Sequence, residues 1–160
     1  MNLEDYLLKN GVKCKETVHY LVENGLVTVN GKKVDYVKIP VGGDDNIEIM
    51  KEDFNDCPKS YWTMKKIDEK LDLIQRGDFI LDVESQDGGF PIYAARKKAN
   101  VKVITIRDDV EFLEKEGIEI LKHNIFTGDL KDVLSSKMDT IILEAGFSLI
   151  RTMELMDKLR

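Results

Sequence analysis

Apolar residues recur at helical spacing twice near the start of the chain. Leu3, Tyr6 and Leu7, with Glu4, Asp5 and Lys9 between them, predict a short amphipathic helix over 2–10 that Gly11 closes. Val18, Leu21 and Val22 predict a second helix over 14–24, ended by Gly25. The pattern then changes period. Leu26 to Val34 alternates and turns at Asn30-Gly31, a hairpin signal, and Val37 to Val41 and Asn46 to Ile49 read as two more short strands. Residues 51–60 are charged, aperiodic and contain Pro58, as a linker would. Ser60 is placed to cap a helix whose inner stripe is Met64, Ile67, Leu71 and Ile74, closed by Gly77.

From Phe79 onward apolar runs and helical patterns alternate. Strands are predicted at 79–83, 101–106, 118–121 and 140–143, with helices at 91–98, around 110–116, at 130–134 and at 148–160. The last helix carries Leu149, Met153, Met156 and Leu159 as its expected inner face. Such alternation implies a Rossmann-like, doubly wound parallel sheet with its ligand site at the carboxyl ends of the strands. The fold class is therefore α/β, with a small α+β domain over 1–50, a linker over 51–60 and the parallel-sheet domain over 61–160.

Composition and charge narrow the function. Hydrophobic residues make up 42% and charged ones 34% of the 160 residues, as in ordinary globular protein. Cys14 and Cys57 form neither a metal spacing nor a disulfide framework, which points to a reducing, cytoplasmic setting, and no metal site is expected. No apolar run reaches the ~20 residues of a membrane span. Net charge is -6, so any contact with nucleic acid has to come from a local cluster. Residues 1–50 hold Lys9, Lys13, Lys15, Lys32, Lys33 and Lys38 against eight acids, at 4, 5, 16, 23, 35, 44, 45 and 48.

The order of helix, Gly11, Lys13 and Lys15, helix, Gly25, strand, Val29-Asn30-Gly31-Lys32, strand and Gly43-Asp44 resembles the S-four RNA-binding domain over Leu3 to Ile49. That family usually opens its second helix with Ser-Arg; Cys14-Lys15 stands here and keeps the positive charge. The resemblance implies binding of structured RNA, ribosomal RNA among others, through Lys13, Lys15, Lys32 and Lys33.

The stretch FILDVESQDGGF, 79–90, runs from a buried strand across a polar turn to a glycine pair. It resembles the D-x-G-x-x-x-G-G-F loop of FtsJ-like RNA methyltransferases and of the TlyA hemolysin group, which joins an S-four domain to a methyltransferase. His123-Asn124-Ile125 and DTIILEAGFSL, 139–149, also resemble that group. The resemblance implies S-adenosylmethionine held by Asp82, Glu84, Gly88, Gly89, Asp108 and Asn124, with Lys65 and Glu144 as the counterparts of catalytic residues. Three departures accompany it. Glu84 replaces the first loop glycine, Arg107 takes the place of the ribose-binding acid next to Asp108, and the chain stops about three strands earlier than the family.

Two readings follow from the resemblance: an RNA-binding protein with a shortened, degenerate methyltransferase-like domain, or an active S-adenosylmethionine-dependent rRNA 2'-O-methyltransferase. A third is a homodimer formed along the exposed sheet edge.

Overall fold

The computed structural model describes residues 1–127, 137–143, 146 and 148–159. Two compact units divide between Trp62 and Thr63. The helix predicted over 130–134, together with Glu144 and Phe147, lies outside the described residues.

The first unit holds helices α1 (Leu3–Lys9) and α2 (Lys15–Glu23) and strands β1 (Val27–Val29), β2 (Lys32–Lys33) and β3 (Ile47–Ile49). The strands form an antiparallel sheet in the order β2-β1-β3. Asn2 caps α1 by accepting from the Asp5 N–H at 2.8 Å, the usual use of Asn at a helix start. The hairpin turns at Asn30-Gly31, both at positive φ, as a tight turn between twisted strands requires. Leu3, Leu7, Val18, Leu21, Val22 and Val27 close the core with less than a few percent of their surface exposed.

Residues 37–41 are not the predicted strand. Their carbonyl groups serve α1 instead: the Leu3 N–H donates to Ile39 O and the Glu4 N–H to Val37 O, each at 3.0 Å. These are amides a helix start leaves without intrahelical partners, and Pro40 has no N–H to give a ladder. Residues 51–60 also differ from a bare linker. Phe54 packs against the first core, Cys57 and Pro58 are buried, and the Lys13 N–H donates to Asn55 O at 2.8 Å. Ser60 falls inside helix α3 (Lys59–Leu71) rather than capping it.

The second unit is built on a parallel sheet of β4 (Phe79–Val83), β5 (Asn100–Thr105), β6 (Glu119–Lys122) and β7 (Thr140–Leu143), in the order β6-β5-β4-β7. Consecutive parallel neighbours β4, β5 and β6 on one side and β7 on the other make a Rossmann-like order, flanked by α4 (Gly89–Arg96) and α5 (Leu149–Lys158). Leu81, Val83 and Ile104 pack with Ile125 and with Leu155 of α5. The alternating residues Ile80, Asp82 and Val103 point to the other face, where they are also fully buried.

Two helical faces differ from their predicted stripes. In α5 Met153 and Met156 are 59% and 48% exposed, and Leu155 is the buried residue. In α3 Ile67 and Leu71 turn outward, and Asp68 occupies the inner face beside Met64. A hydrophobicity count cannot see that substitution, because Asp68 is held there by polar partners. Its Oδ2 accepts from the Tyr93 hydroxyl at 2.8 Å and Lys97 Nζ at 2.6 Å, and its Oδ1 accepts from the Ile74 N–H at 2.9 Å.

Candidate functional site

The carboxyl end of β4 runs into the loop 84–88, and the residue after the strand sets its course. Glu84 has φ +58, a left-handed conformation that glycine adopts without strain. The loop therefore keeps the backbone of a glycine position while carrying a side chain. That side chain is tied down: Glu84 Oε2 accepts from the Thr105 hydroxyl at 3.1 Å, and Thr105 Oγ1 accepts from the Arg107 N–H at 3.1 Å. The carboxylate lies half-buried against the end of β5.

Further along the loop, Asp87 Oδ1 accepts from the Gly89 N–H at 3.0 Å. The protein's own carboxylate thus takes an amide at the start of α4, where an anionic ligand group would otherwise bind. Gly88, at φ +79, is buried against the 3₁₀ segment Glu111–Glu116: a Cβ there would stand 2.8 Å from Leu113 Cδ2 and from Phe112 Cζ. Gly88 is required for packing inside the protein, against Phe112 and the buried Leu113. Asp82 is fully buried beneath the loop, as is Ser85, whose Oγ has no hydrogen-bond partner among the described residues.

Across from this loop the end of β5 presents Arg107. Its Nε and Nη2 clasp both oxygens of Asp109 at 2.9 and 2.6 Å, and its Nη1 donates to Gln86 O at 2.8 Å. The guanidinium bridges the two loops between which a nucleotide would lie. The hydrogen bond from Arg107 holds the Asp109 carboxyl below the usual carboxylate range. Asp108, the nearby candidate for ribose, is fully exposed and pairs with Lys122 at 3.3 Å; Lys122 also donates to Arg107 O.

Asn124 follows β6, exposed, and its Oδ1 accepts from the Phe126 N–H at 2.9 Å. It lines an open depression of about 420 Å³ with Phe126, Arg151, Glu154, Leu155 and Lys158. Lys65 pairs with Glu69 one turn along α3. Its expected partner Glu144 lies outside the described residues.

Several groups that the resemblance would turn toward an adenosyl cofactor are engaged inside the protein. A carboxylate stands at the first glycine position, an arginine replaces the ribose acid and spans the groove, and Asp87 occupies an amide of α4. The sequence pattern pointed to Glu84 and Arg107 as departures. It gave no sign of Asp87, Thr105, Phe112 or Leu113, whose roles depend on which loops the sheet brings together. Among the described residues no group of three or more His, Cys, Asp and Glu is placed to hold a metal.

In the first unit the four candidate lysines form two pairs. Lys13 and Lys15 flank Cys14, the N-cap of α2. Lys32 and Lys33 are exposed on β2, with the Lys33 side chain along Gly25 beyond the other end of α2. The nine residues of α2 separate the pairs by about 14 Å at the helical rise. Lys15 lies 3.4 Å from Glu4 Oε1, whereas Lys13, Lys32 and Lys33 make no ion pair among the described residues. Glu4 itself is buried, 2.6 Å from Lys38, and His19 Nε2 lies 3.4 Å from its other oxygen. The Lys38 ammonium holds the Glu4 carboxyl below its ordinary range, against the opposing effect of burial.

No family model matches the chain, and no curated protein matches it. Among solved structures, a protein of Streptococcus thermophilus provisionally described as a hemolysin is 14% identical, with a TM-score of 0.49, over 91% of this chain and 56% of its own. Coclaurine N-methyltransferase bound to N-methylheliamine and SAH is 17% identical, with a TM-score of 0.48, over 98% of this chain and 44% of its own. The chain thus spans about half the length of these two structures.

Proposed function

We propose that this chain is a cytoplasmic RNA-binding protein whose first unit docks on structured RNA, ribosomal RNA included, and whose methyltransferase-like second unit is a scaffold that carries out no methyl transfer. The observation that carries the reading is the state of the lysines. Lys13, Lys32 and Lys33 are exposed and unpaired among the described residues, in a helix-helix-sheet unit whose element order resembles the S-four domain. The no-transfer half rests on Arg107, Asp87 and Glu84, each of which has a partner inside the protein where a cofactor group would bind.

Salt-dependent binding to a structured ribosomal RNA fragment tests the first half. Changing Lys13, Lys15, Lys32 and Lys33 together to Gln is expected to reduce the slope of log affinity against log salt by about 3, at roughly 0.7–0.9 per lost phosphate contact. An unchanged affinity and slope would sink the reading. Titration calorimetry with millimolar S-adenosylmethionine tests the second half, with no binding heat expected. Micromolar affinity would instead favour the active 2'-O-methyltransferase.

Self-association is a second reading, favoured by the exposure of Ile150, Met153 and Met156 on α5 and of Ile141 on the edge strand β7. Light scattering that finds only monomer at high micromolar concentration would remove it.

A further inference from the structure

The aromatic side chains of the first unit fall into two groups. Tyr20, Phe54, Tyr61 and Trp62 pack on one another, with ring centroids 4.3–5.9 Å apart, and Tyr6 is half-buried beside the core. Tyr36 stands apart, with 59% of its surface exposed. The segment that carries it is nevertheless fastened: Val37 is buried, and the Val37 and Ile39 carbonyls accept from the Glu4 and Leu3 amides. A solvent-facing ring on a fastened backbone has little freedom to lose when a flat ligand stacks on it.

Cations lie on both sides of the ring along the chain. The Cα atoms of Lys33, at the end of β2, and Tyr36 are at most about 11 Å apart, and those of Tyr36 and Lys38 at most about 7 Å. Lys38 Nζ donates to Glu4 Oε1 at 2.6 Å, its side chain stays 45% exposed, and its other two N–H donors have no partner among the described residues. Glu4 keeps that ammonium charged beyond the ordinary lysine range, and Asp5 and Tyr36 add to the effect electrostatically.

Acids limit what can bind. Asp35 adjoins Tyr36 in sequence and Asp5 acts on Lys38, so a run of phosphates along this segment would meet carboxylates. A single nucleotide turned out of its helix brings one phosphate and a bare π face, and unpaired bases are what aromatic side chains stack in structured RNA.

On the RNA-binding reading above, we propose that Tyr36 is the stacking platform for one unpaired base of the bound RNA, with Lys38 taking its phosphate. Lys13, Lys15, Lys32 and Lys33 attract phosphate without regard to base pairing, and Tyr36 adds the preference for a base out of the stack.

The test measures binding of the full chain, by fluorescence anisotropy at several salt concentrations, to a ribosomal RNA stem-loop carrying one bulged 5-iodouridine and to the same stem-loop without the bulge. The bulged form is expected to bind about 5- to 150-fold more tightly, and irradiation should cross-link it to the peptide that contains Tyr36. Tyr36→Ala should abolish both the preference and the cross-link with no change in the slope of log affinity against log salt. Tyr36→Phe, which keeps the ring, should restore the preference. Lys38→Gln, its fold checked by circular dichroism, should lower the slope for the bulged RNA by about 0.7–0.9. Salt-sensitive binding of both stem-loops with equal affinity, a preference that persists in Tyr36→Ala, or a cross-link elsewhere would overturn the stacking site and leave the RNA-binding reading standing. An unchanged slope in Lys38→Gln would overturn the phosphate contact. Failure of both stem-loops to bind at low salt would overturn the site and the reading together.

Discussion

In the first unit Lys13, Lys32 and Lys33 stand exposed without an ion pair among the described residues, whereas at the strand ends of the second nearly every charged group has a neighbour. Arg107 holds Asp109 and Gln86 O, Lys122 holds Asp108, and Glu84 and Asp87 accept from Thr105 and Gly89. The contrast is the one the proposed function requires of a binding unit and a scaffold. A surface that meets a charged partner has to leave charge available, since a cation already paired inside the protein must lose one contact to gain another. Strand order and loop shape are compatible with such pairing, so the parallel sheet is the same whether its loop groups face a ligand or one another.

The largest effect on stability is expected where this internal pairing runs deepest. Asp68→Ala leaves Tyr93, Lys97 and the Ile74 N–H without their shared acceptor, and a buried acceptor serving three donors costs about 3 kcal/mol to remove. Urea unfolding of the variant should show that loss, and Asp68→Asn should recover part of it. A loss below about 0.5 kcal/mol would mean that pairing in the second unit is incidental to its stability.

A smaller effect is expected at Glu4, the buried charge of this kind among the described residues of the first unit, and it carries a pH signature. The Glu4 carboxyl is lowered chiefly by Lys38. A carboxyl with a depressed folded value adds stability in full above its unfolded value, about 4.3, and loses it as pH falls through the lower folded value. Lys38 and Lys15 are largely solvated, which screens the interaction. Glu4→Gln should therefore cost about 1 kcal/mol at pH 7. The difference from the parent should shrink as pH drops below about 4. A difference that stays constant down to pH 2 would show that packing, and not charge, is the role of Glu4.

How much of this could be read from residues alone follows the same division. Among the described residues the helices, the Asn30-Gly31 turn and the four parallel strands were legible because period and turn chemistry are local. The segment 37–41 looked like a strand because its apolar alternation is real; its carbonyls are taken by the start of α1, a contact across more than thirty residues. Asp68 on the inner face of α3 and the Phe112–Gly88 packing were invisible for the same reason. Of the candidate site, the positions Glu84 and Arg107 were legible as departures. Their partners were not, because a hydrogen bond between two loops is set by the sheet that carries them.

The finest test of the comparison is Glu84→Gly. Glycine would relieve a left-handed residue of about 1 kcal/mol of strain. It would forfeit the Thr105 hydrogen bond, about 1 kcal/mol, and add backbone freedom to the unfolded chain at a cost of about 0.4–1 kcal/mol. The net change in stability is expected to be a loss of no more than about 1 kcal/mol, readable as a small shift in the urea midpoint. Glycine at position 84 should not confer cofactor binding, because Arg107 still reaches Gln86 O, Asp87 still holds the Gly89 amide, and Phe112 still lies against Gly88. If calorimetry of the Glu84→Gly variant gave micromolar affinity for S-adenosylmethionine, one side chain would account for the whole difference between scaffold and enzyme, and the internal pairing around it would be a bystander.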